Sequence, residues 1–437
     1  MLILKNTEYK ETLKARYFYC LVSIIDSAII SFLLIFINQL FFDLKLEEYY
    51  LSIALFTLPI LSSLFIFLFS FLATHHLKII KVMRVIFIIN FFLILVTGFL
   101  IIYFPIDINN NLSKSTFFYL IVTLVSLLAA FHSALLSLQS SSIAYINQKE
   151  KTSYGYVCLY GSLVSATISP ISGLISSSLF HDYRGYGFSF LIFSPVFILL
   201  AFLTFKFAPF HDYTDGDNFK FVSAKSLFKD KRYIKYFLIV LILIPFSSLS
   251  QSLTSTMFDF LETHRENGSN LFNSTSYGLL LGFVALIEFI IIYVNTKIGI
   301  AKKIETSTKI AYISLIVRLI FLSIIFYFAL SFKNISLLLL LFVSNSFAGV
   351  TSGLYVTSNM RALNRIMSSR KRTKAIFLQN GSYQIVTAFF SLIYPILINS
   401  DEYGFEDCLL FLLVSIFLIN VIINFNLNED IEYKLFI

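Results

Sequence analysis

The chain has 437 residues, of which 57% are hydrophobic and 13% charged, with a formal net charge of +8. A water-soluble domain of that composition would expose apolar surface and associate, which excludes a soluble enzyme or soluble binding module. The basic balance invites a nucleic-acid partner, but the placement of the basic residues gives them another use, and no nucleic acid is implied.

A hydrocarbon core of about 30 Å needs about 20 apolar residues in a helix. Twelve such runs occur, at 17–41, 50–74, 83–105, 117–145, 154–180, 186–208, 236–258, 275–296, 307–331, 335–359, 373–398 and 405–425. No period-two alternation competes with them, so closed helices rather than a barrel satisfy the backbone in lipid, and the predicted fold class is all-α integral membrane. Lys5, Lys10, Lys14 and Arg16 precede the first run as in a signal peptide. That run is about 25 residues long with no small-residue cleavage pattern, so it reads as a permanent span. Cys20, Cys158 and Cys408 are odd in number and lie within or beside apolar runs, so no disulfide framework, metal site or cofactor is called for.

The twelve spans alternate in charge. Outer loops hold only Lys45, Lys114, Arg184, Arg265 and Lys333, Arg318 lies inside a span, and the other 27 of 33 basic residues fall on inner segments. That asymmetry predicts a multi-pass protein of the cell or inner membrane with both termini cytoplasmic. The longest inner connection carries HDYTDGD and KSLFKDKR and separates six spans from six. The predicted organisation is an N-terminal half, 1–209, a cytoplasmic linker, 210–235, and a C-terminal half, 236–437. Parallel repeats of this kind place a substrate path between the halves near the bilayer midplane.

Three stretches carry a family resemblance. SYGYVCLYGSLVSATISPISGL on the fifth span resembles the YGRxRLxGSxG segment of the lactose permease and nucleoside symporter branch of the major facilitator superfamily. ALIEFIIIYVNTKIGIAKKIETSTKIAYISLIVRL, over the eighth and ninth spans, resembles that branch's membrane Glu, short basic loop and membrane Arg. The loop SFLATHHLKIIK keeps Leu72, Ala73 and Lys78 of the superfamily's signature but has Thr74 in place of its Asp. Cys158 stands where the permease has a sugar-binding Arg, and the tenth span lacks the branch's His and Glu. The resemblance implies twelve helices in two six-helix halves, alternating access, and a sugar, nucleoside or small organic acid as substrate, with the galactoside option weakened.

Only Asp26, Glu288 and Arg318 are charged groups well inside apolar runs, where a charge costs about 2.5–3.5 kcal/mol. Counted from the inner ends of their runs, Glu288 and Arg318 lie near about 12 and 16 Å, so a Glu288–Arg318 pair is predicted, either a static clamp or a proton-coupling site. Asp26 lies at similar depth in the first span, placed to face Arg318 across a cavity, and His132 is the histidine at membrane depth. Gln139, Gln251, Asn345, Gln379, Asn380 and Gln384 are candidates to line the cavity, with interhelical bonding the alternative. Ser169, Pro170 and Gly173 resemble the GPxxGG pattern of proton antiporters, or serve as ordinary helix packing.

Five N-x-S/T sequons, at Asn111, Asn267, Asn273, Asn334 and Asn380, leave glycosylation open. The pairs His75–His76 and His211–Asp212 have no partner at ligand spacing, which argues against a membrane enzyme. No ring of pore charges suggests a channel. The reading is a secondary active transporter of a small organic solute, monomeric, lipid-embedded and coupled to protons, with proton-antiport efflux or uncoupled facilitation as alternatives.

Overall fold

The computed structural model describes residues 17–31, 48–75, 79–104, 111–150, 154–178, 184–207, 224–264, 271–297, 304–329, 331–398, 413–417 and 419. Within them the helices are α1 (Tyr17–Ser31), α2 (Glu48–His75), α3 (Ile79–Tyr103), α4 (Asn111–Glu150), α5 (Tyr154–Ser178) and α6 (Arg184–Phe207). After a four-residue helix, Ala224–Leu227, follow α7 (Lys231–His264), α8 (Ser274–Lys297), α9 (Ile304–Tyr327), α10 (Asn334–Ile366) and α11 (Ser369–Ile398). Every long helix falls on a predicted run. Residues 32–41 of the first run, most of the twelfth run, 208–223 with the start of the linker, and both termini lie outside the described residues.

Eight of these helices are long and apolar enough to cross a membrane. With 24 and 30 residues, α6 and α11 also exceed a bilayer core at about 1.5 Å per residue. Several helices overrun their apolar cores into polar sequence, as α4 does to Glu150, because a helix end outside lipid loses nothing by continuing its backbone bonds into water. Phe92, Phe202, Leu339 and Phe389 are each more than half exposed, a surface that suits hydrocarbon and not water. Tyr103 and Tyr327, exposed at the ends of α3 and α9, have the amphipathic rings that favour a membrane interface.

Lipid tails are as apolar as leucine, so these helices associate through close packing and interhelical polar contacts. The tightest seam joins α5 to α8. A Cβ on Gly278 would stand 2.6 Å from the Ser169 carbonyl oxygen and 3.0 Å from Gly173 Cα, and one on Gly173 would strike the Ser274 carbonyl oxygen. Gly282 makes room for the Pro170 ring, whose Cγ would lie 2.5 Å from an added Cβ. Ser169, Pro170 and Gly173 thus all serve helix packing. A second seam sets Gly381 of α11 against the Phe67 ring of α2, with Phe56 and Phe389 edge to face nearby. Both seams join α1–α6 to α7–α11.

Asp230 caps α7. Its Oδ1 accepts the Arg232 backbone N–H at 2.9 Å, and its Oδ2 accepts from the Arg232 guanidinium at 3.0 Å. Partial burial pushes this carboxyl up, but the hydrogen bonds from Arg232 outweigh it and hold the group below the usual carboxylate range. Beyond the cap, Leu227, Tyr233 and Phe237 pack with Leu363, Ile366 and Ile376, tying the linker helix to α7, α10 and α11.

Gly278→Leu is expected to force α5 from α8 and destabilise the protein by about 1–3 kcal/mol, read as a lower thermal unfolding midpoint in detergent. Leu339→Ala, on a lipid-facing position of α10, is expected to leave that midpoint near wild type.

Candidate functional site

Asp26 lies nine residues into α1, about 14 Å along the helix axis from Tyr17. It is 4% exposed and faces His132 of α4, also 4% exposed, with Asp26 Oδ1 2.6 Å from His132 Nδ1. Seven residues along each helix, the Gln139 side-chain amide donates to the Tyr19 carbonyl at 3.1 Å. Two antiparallel helices are therefore fastened at two levels two turns apart. On its other side α1 meets α5, where Gly161 packs on Ser23 and Ser27 and the Ser31 hydroxyl donates to Ser165 Oγ at 2.9 Å.

Two electronegative atoms at 2.6 Å repel unless a proton lies between them or one partner is a cation. A carboxyl oxygen at this distance from a ring nitrogen fits a carboxylate beside an imidazolium, a carboxylate beside the Nδ1–H of a neutral ring, or a carboxylic acid beside a bare Nδ1. The contact is within ion-pair distance but outside hydrogen-bond geometry, and His132 Nε2 makes no hydrogen bond. Asp26 pairs with His132, and among the described residues it makes no ion pair with Arg318.

Glu288 is partly buried on α8. Its Oε1 accepts from Ser162 of α5 at 2.8 Å and its Oε2 from Ser352 of α10 at 2.7 Å. Gly349 and Gly353 bring α10 onto α8 at this level; a Cβ on Gly349 would lie 3.0 Å from the Glu288 backbone nitrogen. The predicted Glu288–Arg318 pair is absent. Consecutive in sequence, α8 and α9 are not packing neighbours, since α9 lies chiefly on α10 and also touches α7. Helix ends at Lys297 and Ile304 also put Glu288 about 14 Å and Arg318 about 21 Å along their axes, more than a turn apart.

Arg318 is 1% exposed. Its Nη2 donates to Gln251 Oε1 of α7 and to Asn345 Oδ1 of α10, both at 2.8 Å, and its Nη1 reaches the Ser247 carbonyl at 3.4 Å. Asn345 is held in turn by donating to the Leu341 carbonyl at 2.8 Å. Among the described residues no carboxylate pairs with Arg318.

Two of the other polar candidates also bridge helices. Asn380 of α11 donates to Ser137 of α4 at 2.9 Å, across the halves. Gln379 donates to Asn359 Oδ1 at 3.0 Å, which also accepts from the Tyr236 hydroxyl at 3.1 Å. Gln384 hydrogen-bonds Tyr383. Of the sequons, Asn380 is buried mid-helix and Asn273 caps α8 by accepting the Ser276 N–H, while Asn267 lies outside the described residues. Ser162, Ser352 and Tyr383 were not singled out from sequence. A Ser or Tyr in an apolar run signals nothing until the facing helix is known.

The profile of the Major Facilitator Superfamily matches residues 17–391. No curated protein matches significantly. Among solved structures, the fold is similar to that of the nucleoside transporter NupG, with a TM-score of 0.66 and 13% identity over 94% of this chain and 98% of that one. A point mutant of that transporter gives 0.69 at the same identity and coverage. The proton:xylose symporter XylE, bound to 6-bromo-6-deoxy-D-glucose, gives 0.60 at 13% identity over 95% of each chain. These likenesses extend the twelve-helix, two-half fold along nearly the whole chain, and the family match covers most of it: the protein belongs to the Major Facilitator Superfamily of membrane transporters.

Proposed function

We propose that the protein moves a small organic solute by alternating access and couples that movement to protons, with the Asp26–His132 pair as the proton-carrying site. The observation behind this reading is the 2.6 Å contact between two buried titratable groups on α1 and α4. A buried carboxyl beside an imidazole is a pair able to take up and release a proton, which a facilitator does not need. For a coupled carrier, a proton that stays while the helices are arranged one way and leaves when they rearrange is the coupling itself. The symporter XylE has the same fold, which agrees with this reading without assigning it.

Rocking takes place between residues 1–209 and 236–437, hinged along the α5–α8 and α2–α11 seams and joined by the 210–235 linker. Both termini and the linker face the cytoplasm, following the positive-inside asymmetry, and the working unit is a monomer. In that orientation Ser137–Asn380, and Lys297 with its ammonium 5.4 Å from the Tyr156 ring centroid, lie toward the cytoplasmic side and close it in this arrangement. The competing proton site is Glu288, held by two serines across the α5–α8 seam without a cation.

The test is uptake into proteoliposomes, screened over labelled nucleosides, sugars and organic acids, with and without an imposed proton gradient. Asp26→Asn is expected to abolish gradient-driven accumulation while leaving exchange at equal concentrations within a few fold of wild type. Glu288→Gln, which keeps hydrogen-bonding capacity toward Ser162 and Ser352, is expected to retain accumulation. The reverse pattern would move the coupling proton to Glu288, and gradient-independent equilibration by the wild type would leave a facilitator.

A further inference from the structure

We infer that the Arg318 cluster of α7, α9 and α10 binds an oxyanion group of the transported solute, a carboxylate or a phosphate. The inference rests on the transporter reading and names the class of substrate. Its basis is an imbalance of donors. Arg318 is 1% exposed at the middle of its span, and its charge has no anionic partner among the described residues. The groups around it are neutral: Gln251 Oε1, Asn345 Oδ1, the Ser247 carbonyl, and Tyr277 within electrostatic reach.

Those acceptors satisfy Nη2 and reach Nη1, but Arg318 Nε is buried with no hydrogen-bond partner. So is Gln251 Nε2, on the very side chain whose oxygen holds the guanidinium. A buried cation and two orphaned N–H donors, held side by side by one hydrogen bond, lack the same thing: an acceptor with negative charge. A carboxylate or phosphate oxygen pair accepts from a guanidinium edge and an amide together, whereas a sugar or nucleoside hydroxyl would leave the charge uncompensated. Asn345, donating to Leu341 and accepting from Arg318, fixes the plane of the guanidinium. Gln251 keeps partial exposure and marks the side from which an anion arrives. Glu288 and Asp26 are each occupied elsewhere, so neither carboxyl competes for the position.

The test is thermal protection of the purified full-length protein in detergent at constant ionic strength. Acetate, succinate and glycerol 3-phosphate are set against uridine and xylose, with chloride as the inorganic control. At least one organic anion is expected to raise the unfolding midpoint in a saturable way, and Arg318→Gln to weaken that apparent affinity at least tenfold. Arg318→Lys is expected to fall between, keeping the charge but not the fork. Should Arg318→Gln fail to give a monodisperse protein, Gln251→Leu decides: weakening of the anion several fold supports the site, and unchanged affinity overturns it. Protection by uridine or xylose alone, by chloride alone, or by no member of the panel also overturns it. The assay needs no gradient, so a failure here is distinct from a failure of proton coupling in liposomes.

Discussion

A charge held in hydrocarbon must find an opposite charge, a proton or a dense shell of hydrogen bonds, and the arrangement of these helices answers that demand three times. Asp26 is answered by His132, Glu288 by two serine hydroxyls, and Arg318 by two amides and a carbonyl. Each solution recruits side chains from different helices, so satisfying the charge also fixes which helices touch. The three are chemically distinct. One sets a carboxyl beside an imidazole, one is a carboxyl without a cation, and one is a cation without an anion among the described residues.

Close backbone approach makes those solutions reachable. Ser162 reaches Glu288 because Gly173, Gly278 and Gly282 let α5 and α8 come together along the same seam, and Ser352 reaches it because Gly349 and Gly353 do the same for α10. Small residues in a membrane thus have a use beyond van der Waals contact: they bring short hydroxyl side chains within hydrogen-bond distance of a buried carboxyl. The Glu288 site lies on this glycine seam.

Much of this was legible in the sequence. Spans announce themselves through length and apolarity, because lipid demands about 20 apolar residues whatever the family, and the described helices follow the predicted runs closely. Depth was legible too, which is why Asp26, His132, Glu288 and Arg318 could be picked out of a chain with 58 formally charged side chains. Their pairing was not. Glu288 and Arg318 sit on consecutive helices at similar counted depth, yet α9 packs against α10 and α7, and Arg318 turns to Gln251 and Asn345. Likewise Asp26 and His132 are 106 positions apart, with nothing local to link them. Depth is a one-dimensional property and survives in the sequence, whereas helix adjacency comes from packing small residues against particular partners, which periodicity does not encode.

The central claim is that a proton resides on the Asp26–His132 pair and leaves it during the cycle. Infrared difference spectroscopy of the reconstituted protein, recorded as external pH is stepped, reads that proton through the protonated-carboxyl C=O stretch together with the carboxylate and imidazole ring bands it exchanges with. The account predicts a pH-dependent carboxyl band that disappears in Asp26→Asn and shifts in frequency in His132→Gln. A band unaltered by both substitutions would contradict it and place the exchangeable proton elsewhere in the membrane.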